Sequence, residues 1–135
     1  MLPFVYPRFR LTRFIATNEA AFMKLRVHDN SLRLRLSQSD VEQLRDTGYV
    51  EEKLTLPGRA LIYSIATAPV SEIVASFEGD RVAVTVPTAL ARNWIDTDQV
   101  GIEGPQVLIE KDFQCLHRVS AEDADGFPNP LAAKP

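Results

Sequence analysis

The sequence predicts an α+β fold: a mainly antiparallel β-sheet or small barrel carrying two short helices, near residues 38–47 and 88–95. Three observations lead there. Apolar residues alternate with period two through most of the stretch from residue 24 to 109, the spacing of a half-buried strand. The joints between these runs are short and written in Asp, Asn, Gly and Pro, as hairpin turns are. Only two stretches carry helical spacing together with end signals.

Residues 24–27 (KLRV) and 31–36 (SLRLRL) alternate cleanly on either side of His28-Asp29-Asn30, whose Asp and Asn tolerate turn conformations, so they form a hairpin. Leu25, Val27, Leu32, Leu34 and Leu36 are expected to face the core. That leaves Lys24, Arg26, Arg33 and Arg35 as a basic stripe on the other face, the candidate binding surface for an anion. The plainer expectation is a solvated face paired across strands with Glu51 or Glu52.

The next twelve residues, SQSDVEQLRDTG, read as a short helix. Ser37 can cap its start, Leu36 and Val41 have staple spacing, Gly48 supplies a left-handed exit, and Val41 with Leu44 forms the buried side. Strands are expected at 49–56 and 60–67 around Pro57-Gly58, and at 72–78 and 81–86 around Gly79-Asp80. Pro87 sits where a missing N–H does least harm, opening a helix that runs to Trp94. Leu90 and Trp94, four apart, are expected to hold it on the sheet, with Trp94 a core anchor. Residues 96–98 turn into a strand at 100–102.

The last strand begins at Val107 and is expected to run on through EKD. Alternation then places Lys111, Phe113, Cys115 and His117 on one side, with Glu110, Asp112, Gln114 and Leu116 on the other. Cys115 and His117 as same-face neighbours could lower a thiol pKa or supply two zinc ligands, and Asp112 completes the set of catalytic candidates. A structural zinc needs four ligands, so a small buried thiol beside a solvent-reaching histidine is the favoured expectation. Glu122, Asp123 and Asp125 ahead of Gly126 resemble the opening of a calcium loop. The bidentate glutamate such a loop requires six residues after the glycine is Ala132 here. Cys115, His117, Glu122, Asp123 and Asp125 are the metal candidates, and none is committed; no cofactor is expected. Phe127-Pro128-Asn129-Pro130 is a stiff, extended end that either tucks back or serves as a recognition tail.

With 135 residues, 45% hydrophobic and 24% charged, the chain has ordinary globular composition. No apolar run approaches the ~20 residues of a membrane span, and one cysteine permits no internal disulfide. A soluble protein of a reducing, cytoplasmic compartment is therefore expected, with no membrane partner. The net charge of −3 conceals an uneven distribution. Residues 1–35 hold seven basic groups against Glu19 and Asp29; the remainder holds eight against sixteen acids. Opposite charges in successive segments favour self-complementation, within one molecule or in a homo-oligomer, and an acidic body makes nucleic acid an unlikely partner. Residues 1–22 differ in composition from the rest and lack the apolar core of a secretory signal, so a poorly packed basic arm or a start at Met23 is expected. Residues 23–130 are expected to form one domain and 131–135 a tail.

Two resemblances follow. The run FEGDRVAVTVPTALARNWIDTDQVGIEGPQVLIEKD resembles the swapped-hairpin domain of transition-state regulators and antitoxins. There a strand ending in Ile/Val-Pro leads to a short helix, an acidic turn and two strands, and two chains interleave into a DNA-binding barrel. That resemblance implies topology; the chain departs from it in basic residues, and any DNA contact falls to Arg26, Arg33 and Arg35. A longer resemblance, carried by MKLRVHDNSLRLRLSQSDVEQL, VTVPTALARNW with DQVGIE, and EKDFQCLHR ending in FPNP, is to a family of small bacterial proteins of unassigned function, over residues 23–130. It implies a compact domain and assigns no activity. A non-enzymatic binding or interaction domain is the leading expectation. A thiol- or metal-dependent enzyme at Asp112, Cys115 and His117, or a swapped-hairpin DNA-binding regulator, are the alternatives.

Overall fold

The structure, a computed structural model, describes residues 23–113 and 125–131. The first hairpin, β1 (Lys24–His28) and β2 (Ser31–Leu36), turns through Asp29 and Asn30, both at positive φ (56° and 60°). Two consecutive left-handed residues give the tight turn whose twist matches that of paired strands. β2 feeds α1 (Gln38–Thr47) through a reciprocal cap: the Ser37 hydroxyl accepts from the Asp40 N–H, and the Asp40 carboxylate accepts from the Ser37 N–H at 2.9 Å. Gly48, at φ 77°, ends the helix and donates to the Leu44 carbonyl at 2.8 Å. There follow β3 (Tyr49–Leu56), β4 (Arg59–Ala68), β5 (Val74–Glu78), β6 (Arg81–Pro87), α2 (Thr88–Asp96), β7 (Gly101–Gly104) and β8 (Val107–Lys111). The α+β class and both helices stand as the sequence predicts.

The strands form two four-stranded sheets, ordered β1-β2-β8-β7 and β3-β4-β6-β5, and neither closes on itself, so the small-barrel alternative does not hold. Nor is every pairing antiparallel. At the centre of each sheet two hairpins meet along a parallel pair, β2 with β8 and β4 with β6. The reason is an exchange that turn signals cannot reveal. The β7–β8 hairpin leaves β5–β6 and pairs with β1–β2, while β3–β4 crosses the other way to pair with β5–β6.

That exchange relates two β-β-α-β-β halves. Leu34 and Val84, Leu36 and Val86, and Leu44 and Trp94 each stand fifty positions apart, occupy matching places in the two halves, and are buried. One core serves both sheets, with Leu34, Leu36 and Ile109 of one against Val50, Ile65 and Val84 of the other. Trp94 lies at 0% exposure, its indole N–H donating to the Val100 carbonyl at 3.1 Å, so the ring is buried without an orphaned donor. Its buried partner on α2 is Ala91 rather than Leu90, which is exposed. On α1, Leu44 is buried as expected and Val41 is half-buried; Asp40 is buried as well.

Val27 departs furthest from expectation. It points to the core side, opposite Leu32 in register, yet is 73% exposed, because β1 is an edge strand and the opposing sheet does not reach over its end.

Candidate functional site

The edges of the two sheets leave a seam. On β5, Ala75 and Phe77 continue the core face of β6, opposite Val84 and Val82 in register. On β1, Leu25 and Val27 continue the core face of β2 in the same way. Between the two lies a groove of about 270 Å³ lined by Val27, Leu32, Ala75, Phe77 and Val82, with Asn30 and Gln106 at its polar rim. Phe77 is 70% exposed there. Val27 and Phe77 are the fifty-residue counterparts of each other, so both halves present an apolar residue at the same point. Sequence reasoning missed this site; the repeat that pairs the two positions was the signal that could have found it. Gln106, at φ 63°, ties the rim together by donating to the Asn30 carbonyl at 2.9 Å and accepting from the Leu32 N–H at 2.8 Å.

The basic stripe sits on the outer face of β1 and β2, as the alternation requires, but its counter-charges are not Glu51 or Glu52. Lys24 pairs with Asp112 at 2.9 Å, and Arg33 and Arg35 both approach Glu110, at 3.7 and 3.4 Å. The parallel β2–β8 pairing, which sets Arg35 opposite Glu110, is what brings these acids in. Glu51 is engaged elsewhere, with Arg81 at 3.3 Å and the Tyr49 hydroxyl at 2.5 Å. Arg26 lines a small recess of about 40 Å³ with His28, Ser31 and Arg33.

Glu52 faces inward, toward a second cluster at the other end of β1. Its carboxylate accepts from the Met23 N–H, and burial, followed by the charge of Asp40, pushes its pKa up to about 7. Burial likewise raises Asp40, against the opposing pull of its bonds to Ser37. Tyr63 donates to the Met23 carbonyl at 2.7 Å, and burial first, then Glu52 and Asp40, raise its pKa.

Of the reactive-looking C-terminal residues, Asp112 is held by Lys24, and its N–H donates to the Leu36 carbonyl at 2.9 Å. β8 ends at Lys111, one residue short of the Asp112 to which the sequence extends it. Cys115, His117, Glu122 and Asp123 lie outside the described residues. Asp125 is exposed, and Phe127 is fully exposed rather than tucked back. Among the described residues no group of three His, Cys, Asp or Glu could hold a metal ion, and no helix is long and apolar enough to cross a membrane.

The described elements thus define an α+β protein of two interleaved halves around one core, with an open apolar seam at one pair of sheet edges. The chain belongs to a family of unknown function (DUF7009), whose model matches residues 23–131. This agrees with the longer of the two resemblances and assigns no activity. No curated protein and no solved structure matches the chain.

Proposed function

We propose that this protein is a non-enzymatic interaction domain that self-associates through the β5 edge and the seam beside it. The observation that carries the reading is the seam: an apolar core face left open between β1 and β5, with Val27 and Phe77 exposed on either side. Isolated exposed apolar residues need no explanation, but two at matching positions flanking one groove mark an interaction surface. β5, VASFE, offers unpaired backbone groups along its outer side, and it has none of the lysine, proline or bulge that keeps an edge strand from pairing. The other edge of the seam, β1, carries Lys24 and Arg26 and is protected.

A second copy fits β5 by self-complementarity. In an antiparallel pair centred on Ser76, each Phe77 lies opposite the small Ala75 of the other copy, so both rings are accommodated on the groove side. Sedimentation velocity tests this. A concentration-dependent dimer that persists at high salt, and is lost in Phe77→Glu with an unchanged circular dichroism spectrum, is the expected result. A monomer at every concentration would sink the reading.

A second reading, a DNA-binding regulator, draws support from the interleaved hairpins, the arrangement implied by the shorter resemblance but made here within one chain. Glu110 and Asp112 beside the basic stripe weigh against it, since a carboxylate on the arginines opposes phosphate. Short duplex DNA at low salt is its test: a salt-sensitive shift would support it, and none would remove it.

A further inference from the structure

We propose that the cavity between the two helices binds a small carboxylic acid, its carboxylate held by Arg92 and its apolar body laid on the buried sides of α1 and α2. This site shares no residue with the seam and does not depend on the self-association reading.

The cavity measures about 290 Å³ and lies where the end of α1, the end of β4 and one stripe of α2 converge. That volume stands at the lower end of the range for small-molecule sites, which fits a ligand of the size of benzoate. The floor is apolar: Leu44 and Ala91 are buried and Ile95 is half-buried. The rim is polar and carries one net positive charge. Arg45 and Asp96 pair there at 2.7 Å and cancel, which leaves Arg92. Although Asp96 stands one helical turn on from it, Arg92 forms no ion pair among the described residues. The Thr67 and Thr88 hydroxyls line the same space, and neither hydroxyl makes a hydrogen bond among the described residues. Gly48 keeps the first of them clear, since a Cβ there would stand 3.1 Å from the Thr67 Oγ1. A guanidinium and two hydroxyl donors above an apolar floor match one carboxylate on a short hydrocarbon body. A bare inorganic anion would use the rim alone.

The internal repeat adds an independent observation. Fifty positions away, Trp94 stands for Leu44, Val41 for Ala91 and Glu42 for Arg92. Both apolar counterparts are larger, and the charge is reversed. At three positions around one cavity, the repeat therefore departs toward more space and a cation.

The test is a titration of the isotope-labelled full chain with sodium benzoate at constant ionic strength, read by NMR on the backbone amides and the arginine Nε–H groups. Sodium phosphate and benzyl alcohol are the comparison ligands. Saturable shifts are expected at Arg92 and at the amides that surround the cavity. Arg92→Gln should weaken benzoate roughly tenfold, the loss of one charge-assisted hydrogen bond, and Arg92→Glu should abolish binding. Arg92 is exposed, so both variants keep the fold, which the unshifted remainder of the spectrum verifies. Phosphate and benzyl alcohol should each bind more weakly than benzoate, because each satisfies half of the site. No saturable shift, shifts confined to the basic stripe of β1 and β2, or equal affinity in Arg92→Gln would overturn the proposal. Phosphate or benzyl alcohol binding as tightly as benzoate would overturn it as well.

Discussion

At the scale of single residues, the account turns on close approaches and on charge held away from water. Gly104 shows the first. A Cβ there would come within 2.6 Å of the Ile73 Cβ, and Ile73 is buried and cannot swing aside. Gly104→Ala should therefore cost about 1–3 kcal/mol through overpacking, seen as a lower urea midpoint with an unchanged slope. Glu52 shows the second. Its carboxyl rises from 4.5 to about 7 on folding. The folded state then holds the proton more tightly than the unfolded one. Its contribution is fully present below pH 4.5 and is lost as the pH rises through 7. The whole shift corresponds to roughly 3 kcal/mol, and partial exposure reduces this to on the order of 1 kcal/mol. Urea midpoints at pH 5 and pH 8 should differ more for this chain than for its Glu52→Gln variant; parallel behaviour would contradict the assignment. Asp40 was in plain sight as the third residue after Ser37. Reading only the apolar spacing of the helix hid its burial, because a capping carboxylate is drawn inward by backbone donors and not by hydrophobicity.

At the scale of elements, most of the architecture was legible. Every strand and both helices follow from alternation, from the Asp29-Asn30 and Gly79-Asp80 turns, and from the Ser37 and Gly48 helix ends. Partner choice was not. A basic stripe on one strand says nothing about which strand will lie beside it, and the acids that meet Arg33 and Arg35 come from β8, more than seventy residues on. Glu110 is half-buried, but its pairs with Arg33 and Arg35 are long, at 3.7 and 3.4 Å, so Glu110→Gln should change the unfolding free energy by less than about 1 kcal/mol. Its larger effect should be electrostatic: the variant should elute later from a heparin column than the parent, in a salt-dependent way. Unchanged elution would mean that Glu110 does not govern the stripe.

At the scale of the whole molecule, the two halves exchange hairpins, and this decides where the surface is left unfinished. Central strands gain parallel partners, while β1 and β5 become edges whose apolar sides extend beyond the shared core. No local pattern announces such an exchange. Only the recurrence of Leu34, Leu36 and Leu44 at Val84, Val86 and Trp94 records it, and at that distance the similarity is one of chemical type more than identity. The C-terminal cysteine and histidine stood out in the sequence for their reactivity; the seam is made of ordinary residues placed by topology. Its use in self-association is tested most directly by a register-specific cross-link. In an antiparallel β5 pair centred on Ser76, the two Cα atoms lie about 4.5–5.5 Å apart, within disulfide reach. With Cys115 replaced by Ser, Ser76→Cys should form a covalent dimer on mild oxidation, while Glu103→Cys on β7 stays monomeric; a Ser76→Cys chain that stays monomeric, or that cross-links no better than Glu103→Cys, would contradict the account.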